Sequence, residues 1–239
     1  MQEDIKKYLK QTEGFSAEDI LRFAYQEFAD RLKFATSLGE EDQVLTDMIA
    51  RVQPEITVFT LDTGRLFQQT YDLMAKTQQR YPLEFEIYYP ATAAVEEMVR
   101  KHGINLFYDS VDNRKTCCGI RKVEPLNRAL ENTEAWITGL RRAQSVTRSK
   151  IATFEWDKAN QKVKINPLAA WSREQVQAYI NKYHVDTNPL HQEGFVSIGC
   201  APCTRAIKPD ADIREGRWWW EAPEQKECGL HNNPNRPKS

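Results

Sequence analysis

The sequence predicts an α/β protein with a mostly parallel sheet and helices on both faces of that sheet. Short apolar runs typical of buried strands alternate with longer segments that repeat apolar residues at helical spacing. This alternation continues through the first half of the chain, and strands that are linked by helices in this way build parallel sheets. The chain has 239 residues, which is enough for such a sheet and its core.

The elements of the first half follow from caps, periodicity and breaker residues. Ser16 is placed to cap a helix that carries apolar residues at helical spacing as far as Phe28. Pro54 and Gly103 are each placed to end a helix. The apolar runs predict strands at residues 32–37, 56–61, 83–88 and 135–138. The helices expected between them cover residues 44–52, 66–80 and 93–102.

The second half has a different organisation. Residues 151–156 and 162–165 are expected to form a hairpin, and Ser172 with Gln175 fits a capping box that opens a helix through Ile180. Beyond Asn188 the chain is rich in Pro, Gly, Cys and Trp without a clear period. We expect residues 1–220 to form a single domain and the polar residues 221–239 to form a mobile tail.

Composition excludes several classes of function. The net charge of −1 gives no basic field for nucleic acid or for a membrane surface. The N-terminal sequence MQEDIKKYLK lacks the apolar stretch of a signal peptide, and no apolar run reaches the roughly 18 residues of a membrane span. We therefore expect a cytoplasmic protein, in which clustered cysteines bind metal or do chemistry more often than they form disulfides.

The five cysteines divide into two pairs and one single residue. Cys117 and Cys118 are adjacent, and Cys200 and Cys203 enclose two residues. Four thiolates suit either a structural zinc or a [4Fe–4S] cluster. The adjacent pair favours the cluster, because neighbouring helical residues point about 100° apart and a cubane offers separate iron corners, but the spacing leaves zinc open. Cys228 lies in the polar tail, where it is either a dispensable thiol or a nucleophile on a moving arm.

Polar loops after three expected strands are candidates for binding an anionic ligand, because ligands of open parallel sheets bind at the carboxyl ends of the strands. These loops are residues 37–42, 62–65 and 139–142, and arginines in them are suited to clamp phosphate or sulfate. Each cationic pair alone is more often a solvated surface. For Trp218, Trp219 and Trp220 we favour packing over the core, although a stacking platform for adenine stays open.

Taken together, these motifs resemble the assimilatory adenylyl-sulfate and phosphoadenylyl-sulfate reductases, within the adenine-nucleotide α-hydrolase-like superfamily. The matching pieces span most of the chain and occur in one order. They are Ser37-Leu38-Gly39-Glu40-Glu41-Asp42, Leu61-Asp62-Thr63-Gly64-Arg65, Cys117-Cys118-Gly119-Ile120-Arg121-Lys122, Gly139-Leu140-Arg141-Arg142, Ser197-Ile198-Gly199-Cys200-Ala201-Pro202-Cys203-Thr204-Arg205, Arg214-Glu215-Gly216-Arg217-Trp218-Trp219-Trp220 and Glu227-Cys228-Gly229-Leu230-His231.

The resemblance implies a mechanism for sulfate assimilation and cysteine biosynthesis. Cys228 would attack the sulfur of adenylyl sulfate and release AMP, and thioredoxin or glutaredoxin would free sulfite from the sulfonated cysteine. Cys117, Cys118, Cys200 and Cys203 would hold one [4Fe–4S] cluster per chain. The residues implied to bind the nucleotide are Thr36, Ser37, Gly39, Leu61, Asp62, Thr63, Gly64, Arg65, Lys122, Gly139, Arg141, Arg142, Arg214, Arg217 and His231.

Alternatives stay open at this point. In the family that the chain resembles, the branch specific for phosphoadenylyl sulfate typically lacks the cluster cysteines. Since all four are present here, the resemblance favours adenylyl sulfate, and a 3′-phosphorylated substrate or dual use is the alternative. The acidic run Glu40-Glu41-Asp42 would repel a 3′-phosphate close to it, or it could simply complement a helix dipole. A nucleotide-binding protein with a structural zinc and an ATP-dependent RNA sulfur-transfer enzyme are further candidates. The sequence is compatible with a homo-oligomer.

Overall fold

The computed structural model describes residues 2–144, 148–208, 211–212 and 215–222. Helices and strands alternate through its first half, as the sequence predicts. The strands are β1 Leu32–Thr36, β2 Thr57–Leu61, β3 Phe85–Tyr88, β4 Ala135–Ile137, β5 Phe154–Asp157 and β6 Lys162–Ile165. The α-helices are α1 Gln2–Gln11, α2 Ala17–Phe28, α3 Glu40–Val52, α4 Gln68–Arg80, α5 Thr92–His102, α6 Val111–Cys118, α7 Glu124–Ala129 and α8 Arg173–Tyr183.

The strands form one mostly parallel sheet in the order β3-β2-β1-β4-β6-β5. β1 lies between β2 and β4 and is parallel to both, and β4 is also parallel to β6. β5 runs antiparallel to β6 and lies at the edge of the sheet. The predicted α/β class and the predicted hairpin are both confirmed. Because β1 and β4 are parallel neighbours, the loops that follow them leave the sheet at the same edge.

The chain divides into two compact units. The first comprises residues within 1–60, 69–86 and 132–188, and the second comprises residues within 61–68, 87–131 and 189–239. The expected arrangement of one domain over residues 1–220 followed by a tail stays a prediction. Among the described residues, no helix combines the length and the apolar character needed to cross a bilayer.

The first unit has its core between the sheet and the helices packed on it. Phe34, Ile137 and Ile165, from three neighbouring strands, are fully buried there, and α3 adds Leu45 and Met48. The helix starts are those expected. The Ser16 and Ser172 side chains each accept a hydrogen bond from the backbone N–H three residues on, and both form complete capping boxes.

The second unit is built around a smaller apolar cluster. Met98 of α5, Leu106, Phe107 and Trp218 are buried together there with Cys203. Trp218 thus packs within a core and Trp220 packs against it, as we favoured from the sequence. Helix α6 ends at Cys118 and continues as a π-helical turn, Gly119–Val123, which the sequence did not predict. π-helical turns are rare and occur frequently at functional sites.

Candidate active site

The four paired cysteines converge in the second unit. Cys117 and Cys118 close helix α6, while Cys200 and Cys203 lie at the ends of a short turn over residues 200–203. Cys203 is buried in the apolar cluster around Trp218, and the other three thiols pack against that same cluster. None of the four is in a disulfide. The structure therefore brings together two motifs that are more than 80 residues apart in sequence.

The turn after β2 is bound to the cysteine segment through side-chain and backbone hydrogen bonds. Thr63 Oγ1 lies 3.2 Å from Cys200 Sγ, and the backbone N–H of Ala201 donates to the carbonyl of Arg65 at 2.8 Å. Gly64 sits at a φ of +68°, where its N–H donates to Asp62 Oδ1 at 2.7 Å. A residue with a side chain is disfavoured at this φ, so glycine suits the tight turn that presents Thr63 to the thiol.

Cationic side chains surround the thiols. Arg121 is buried, and its Nη1 donates to the carbonyl of Thr63 at 2.7 Å. Burial raises the pKa of the Cys200 thiol, but the charge of Lys122, the Thr63 hydrogen bond and two arginines outweigh it, so the net pKa is lowered. Burial raises the pKa of Cys117, and it raises the pKa of Cys203 to about 12. Of these three thiols, Cys200 is therefore the one whose thiolate is favoured.

Arg217 is held against the same segment. Its Nε donates to the carbonyl of Cys203 at 3.3 Å, and Thr204 pairs with it as an isolated β-bridge. A Cβ at Gly199 would overlap the Arg217 guanidinium, and one at Gly216 would overlap the backbone carbonyl of Arg205. The two glycines therefore permit the close chain approach that buries Arg217.

The cysteine cluster also contains buried polar atoms that lack a partner. Within the part of the chain that the structure describes, the indole nitrogens of Trp218 and Trp220 are buried without a hydrogen bond. Among all the residues that the structure describes, no three His, Cys, Asp or Glu side chains are placed to hold a single metal ion. The donor set of the cluster is four sulfurs. Such a set suits thiophilic iron or zinc and does not suit a hard cation such as Mg²⁺.

The first unit carries a second candidate region, at the carboxyl ends of β1 and β4. Asp42, in the first turn of α3, accepts hydrogen bonds from the Ser37 backbone N–H and from Ser37 Oγ at 2.6 and 2.7 Å, and from the Gly139 backbone. Burial raises the pKa of Asp42 to about 6, against the lowering effect of these hydrogen bonds. A Cβ at Gly139 would overlap the Asp42 carboxylate. The carboxylate therefore joins the loops after β1 and β4.

An ion pair joins the same two loops. Arg141 is buried, and its Nε and Nη2 donate to Glu41 Oε1 at 2.9 and 2.6 Å. Arg142 is exposed and donates to the carbonyl of Ile151 at 2.7 Å. Glu40 accepts a hydrogen bond from Gln177 at 2.8 Å. Glu40, Glu41 and Asp42 therefore each accept hydrogen bonds from other residues of the protein.

The structure places most of the predicted binding residues in these two regions. Thr36 Oγ1 accepts from the backbone N–H of Leu38, which takes a left-handed conformation with a φ of +61°, and Gly39 caps α3. Leu61 ends β2. Arg214, Cys228 and His231 lie outside the described residues.

Three contributors were not singled out from the sequence: Arg121, Glu41 as the partner of Arg141, and the buried ion pair of Arg114 with Glu221. Arg121 lies within the Cys117-to-Lys122 motif, so its proximity to the cysteines was the available signal. The two ion pairs join residues about 100 positions apart, and no local pattern marks such pairs.

Comparison with known proteins finds a family and relatives that match most of the chain. Residues 31–206 match the family described as phosphoadenosine phosphosulfate reductase domain. The chain is 52% identical over 209 residues to the adenosine 5′-phosphosulfate reductase of Allochromatium vinosum, covering 87% of this chain and 82% of that protein. It is 51% identical over 202 residues to the enzyme of the same name from Burkholderia cepacia, covering 84% and 81%.

Solved structures agree in fold. A phosphoadenylyl-sulfate reductase from Candida auris, crystallised with phosphate, superposes with a TM-score of 0.75 at 32% identity, covering 87% of this chain and 98% of that one. An FMN adenylyltransferase from Candida glabrata superposes with a TM-score of 0.55 at 14% identity, covering 94% and 75%, and shows a shared fold alone.

Proposed function

Since the chain belongs to the phosphoadenosine phosphosulfate reductase domain family, we propose that it reduces adenosine 5′-phosphosulfate to sulfite and AMP. The observation that carries this proposal is the set of four cysteines in one cluster, bound through Thr63 to the turn after β2. The relatives at about half identity carry that substrate in their names. In cells the reaction would serve sulfate assimilation and cysteine biosynthesis.

The chemistry is a displacement followed by thiol exchange. The Cys228 thiolate attacks the sulfate sulfur, the bond from that sulfur to the bridging phosphate oxygen breaks, and AMP leaves with the electron pair. The product is a cysteine carrying a sulfonate on its Sγ. A dithiol protein, thioredoxin or glutaredoxin, then attacks that Sγ and releases sulfite; its second thiol restores Cys228 and leaves an oxidised disulfide. Two electrons pass from the dithiol to the substrate.

Each unit contains predicted nucleotide-binding residues that would supply positive charge or hydrogen-bond donors. Arg65, Arg217 and Lys122 supply positive charge in the second unit, where charge-assisted hydrogen bonds to phosphate or sulfate oxygens are the strong ones. Ser37 and the Gly139–Arg142 loop supply backbone and side-chain donors in the first. His231, Arg214 and Arg142 complete the proposed binding set.

The four cysteines would hold one [4Fe–4S] cluster, which supplies a fixed charge and a scaffold and takes no part in electron transfer. The four-sulfur donor set fits this group, and so do the two unpartnered indole N–H groups beside it. A four-iron cluster places its ligands on separate corners, so the thiols need not surround one point. The free thiols fit a reducing compartment, and we place the protein in the cytoplasm.

Steady-state turnover with thioredoxin tests the proposal. Sulfite release is measured with adenosine 5′-phosphosulfate and with its 3′-phosphorylated form, and we expect the first to have the higher kcat/KM. Faster turnover of the 3′-phosphorylated form would instead make the protein a phosphoadenylyl-sulfate reductase, and comparable values would make it a dual-substrate enzyme. Cys228→Ser is expected to abolish release while nucleotide binding is kept.

Metal analysis of anaerobically purified protein separates the cluster from the zinc alternative. We expect iron and acid-labile sulfide at about four atoms each per chain. Zinc without sulfide, together with no sulfite release, would leave a nucleotide-binding protein with a structural metal.

A further inference from the structure

Two indole N–H groups in the cysteine cluster have no acceptor among the described residues. Trp218 is 1% exposed, and its Nε1 is buried without a hydrogen bond; Nε1 of Trp220 is buried and unpartnered as well. The Trp218 ring belongs to the buried apolar cluster, and Trp220 packs against that cluster together with Cys117, Cys118 and Cys200. Buried polar groups in native proteins are almost always hydrogen-bonded, so two such donors together require an explanation.

The position of Trp218 is fixed on several sides. Its backbone N–H donates to the carbonyl of Cys203 at 3.2 Å, which ties the residue to the cysteine turn. The guanidinium carbons of Arg114 and Arg217 lie 4.9 and 4.6 Å from the centroid of the ring. Cations near an aromatic ring draw on its electron density, and this makes the indole N–H a stronger hydrogen-bond donor.

The side chains packed in and against the cluster that contains Trp218 include all four paired cysteines. Met98, Leu106 and Phe107 contribute apolar side chains to the cluster. The carbonyl of Cys203 already accepts from the backbone of Trp218 and from Nε of Arg217. Thiolate and sulfide sulfurs are hydrogen-bond acceptors, and hydrogen bonds to them are among the factors that tune iron–sulfur sites.

We propose that Trp218 and Trp220 are ligand-supporting residues that donate their indole N–H groups to sulfur atoms of the iron–sulfur cluster held by the four cysteines. The proposal rests on the cluster assigned under the proposed function. These donors would fix the cluster in its site and offset its negative charge. Trp218 is the principal donor, because it is the more buried of the two and is flanked by two guanidinium groups.

The test compares wild type with Trp218→Phe and Trp220→Phe, which keep an aromatic ring and remove the N–H. Resonance Raman spectra of the anaerobic holoprotein are recorded in H₂O and in D₂O, because deuteration of an N–H that bonds to sulfur shifts the iron–sulfur stretching bands. The rate at which a chelator removes iron is measured in parallel. Trp219→Phe is the matched control, since Nε1 of Trp219 is not among the buried unpartnered atoms.

We expect Trp218→Phe to lose part of the deuterium shift and to release iron several-fold faster, with a smaller effect in Trp220→Phe and none in Trp219→Phe. A deuterium shift and a release rate equal to those of wild type in both variants would overturn the inference. Wild-type protein that holds no iron would instead refute the proposed cluster, so the two failures are distinct. If Trp218→Phe does not fold, Trp220→Phe alone decides, because it removes the same type of donor.

Discussion

Arg114 and Glu221 form a two-point ion pair inside the second unit. Arg114 Nε donates to Glu221 Oε1 at 2.9 Å and Nη2 donates to Oε2 at 2.7 Å, and each side chain is 2% exposed. Arg114 belongs to the helix that ends in Cys117 and Cys118. The pair therefore fixes that helix to the segment that directly follows the three tryptophans.

Breaking this pair should strongly destabilise the protein. In Glu221→Gln the buried guanidinium loses its counter-charge, and removing one partner of a buried pair costs about 3–5 kcal/mol. We expect the thermal midpoint of unfolding to fall by roughly 10 °C, given a shift of about 2–4 °C per kcal/mol for a protein of this size.

Two comparisons isolate the effect of burial. The double variant Arg114→Met, Glu221→Leu should recover much of the loss, because no charge remains buried. Glu124→Gln breaks an ion pair with Arg128 in which the side chains are 46% and 44% exposed, and it should cost at most about 1 kcal/mol. Equal losses in Glu221→Gln and Glu124→Gln would show that the Arg114–Glu221 pair does not anchor this segment.

Glu41 should set the preference between the two nucleotides. It neutralises Arg141 beside the proposed binding loop, so Glu41→Gln would free a cation for a 3′-phosphate. We expect the ratio of kcat/KM for the 3′-phosphorylated substrate over adenosine 5′-phosphosulfate to rise roughly tenfold, which equals about 1.4 kcal/mol. Glu40→Gln removes a charge from the same helix turn without touching Arg141, and an equal rise there would contradict the assignment.

Asp42 should make stability depend on pH. Its pKa is raised from 3.8 to about 6 in the folded protein, so the folded state binds more protons than the unfolded state between these values. Stability contributed by this group is therefore lost as pH rises through this window. Relative to wild type, the free energy of unfolding of Asp42→Asn should rise by roughly 1 kcal/mol from pH 5 to pH 7. The measurement is the difference between the two thermal midpoints at each pH. Asp30→Asn, at an exposed position, is the control. A difference that is constant with pH would refute the raised pKa.

Gly139 should tolerate no side chain. A Cβ there would overlap the Asp42 carboxylate and crowd the backbone of α3, so Gly139→Ala should separate the loops after β1 and β4. We expect a loss of about 1–3 kcal/mol in stability and weaker nucleotide binding in an equilibrium titration. Gly119→Ala meets no atom within 4 Å and should be neutral or stabilising by up to about 1 kcal/mol. Equal behaviour of the two variants would refute the steric argument.

Local signals in the sequence predicted most of the fold. β1, β2 and the helices opened by Ser16 and Ser172 were located by apolar runs and caps, because such elements are specified by neighbouring residues. The family resemblance, drawn from ordered motifs, is confirmed by the family match and the relatives. The iron–sulfur cluster and the role of Cys228 stay predictions.

What the sequence did not predict depends on long-range contacts. Glu221 was assigned to a mobile tail because its neighbours are polar, yet it is buried against Arg114, 107 positions earlier. Arg141 was expected to face a ligand, and only the folded chain brings it to Glu41. The π-helical turn after Cys118 was not predicted, because no sequence pattern that we used distinguishes it from a continued α-helix.

Detection of a sulfonated Cys228 is the most direct test of the proposed mechanism. Wild-type protein is incubated with adenosine 5′-phosphosulfate in the absence of any thiol reductant, and the intact chain and its peptides are analysed by mass spectrometry. We predict the gain of one SO₃ group on Cys228, released as sulfite when thioredoxin is added, and no gain in Cys228→Ser. An unmodified Cys228, or the adduct on one of the four clustered cysteines, would contradict the proposed mechanism.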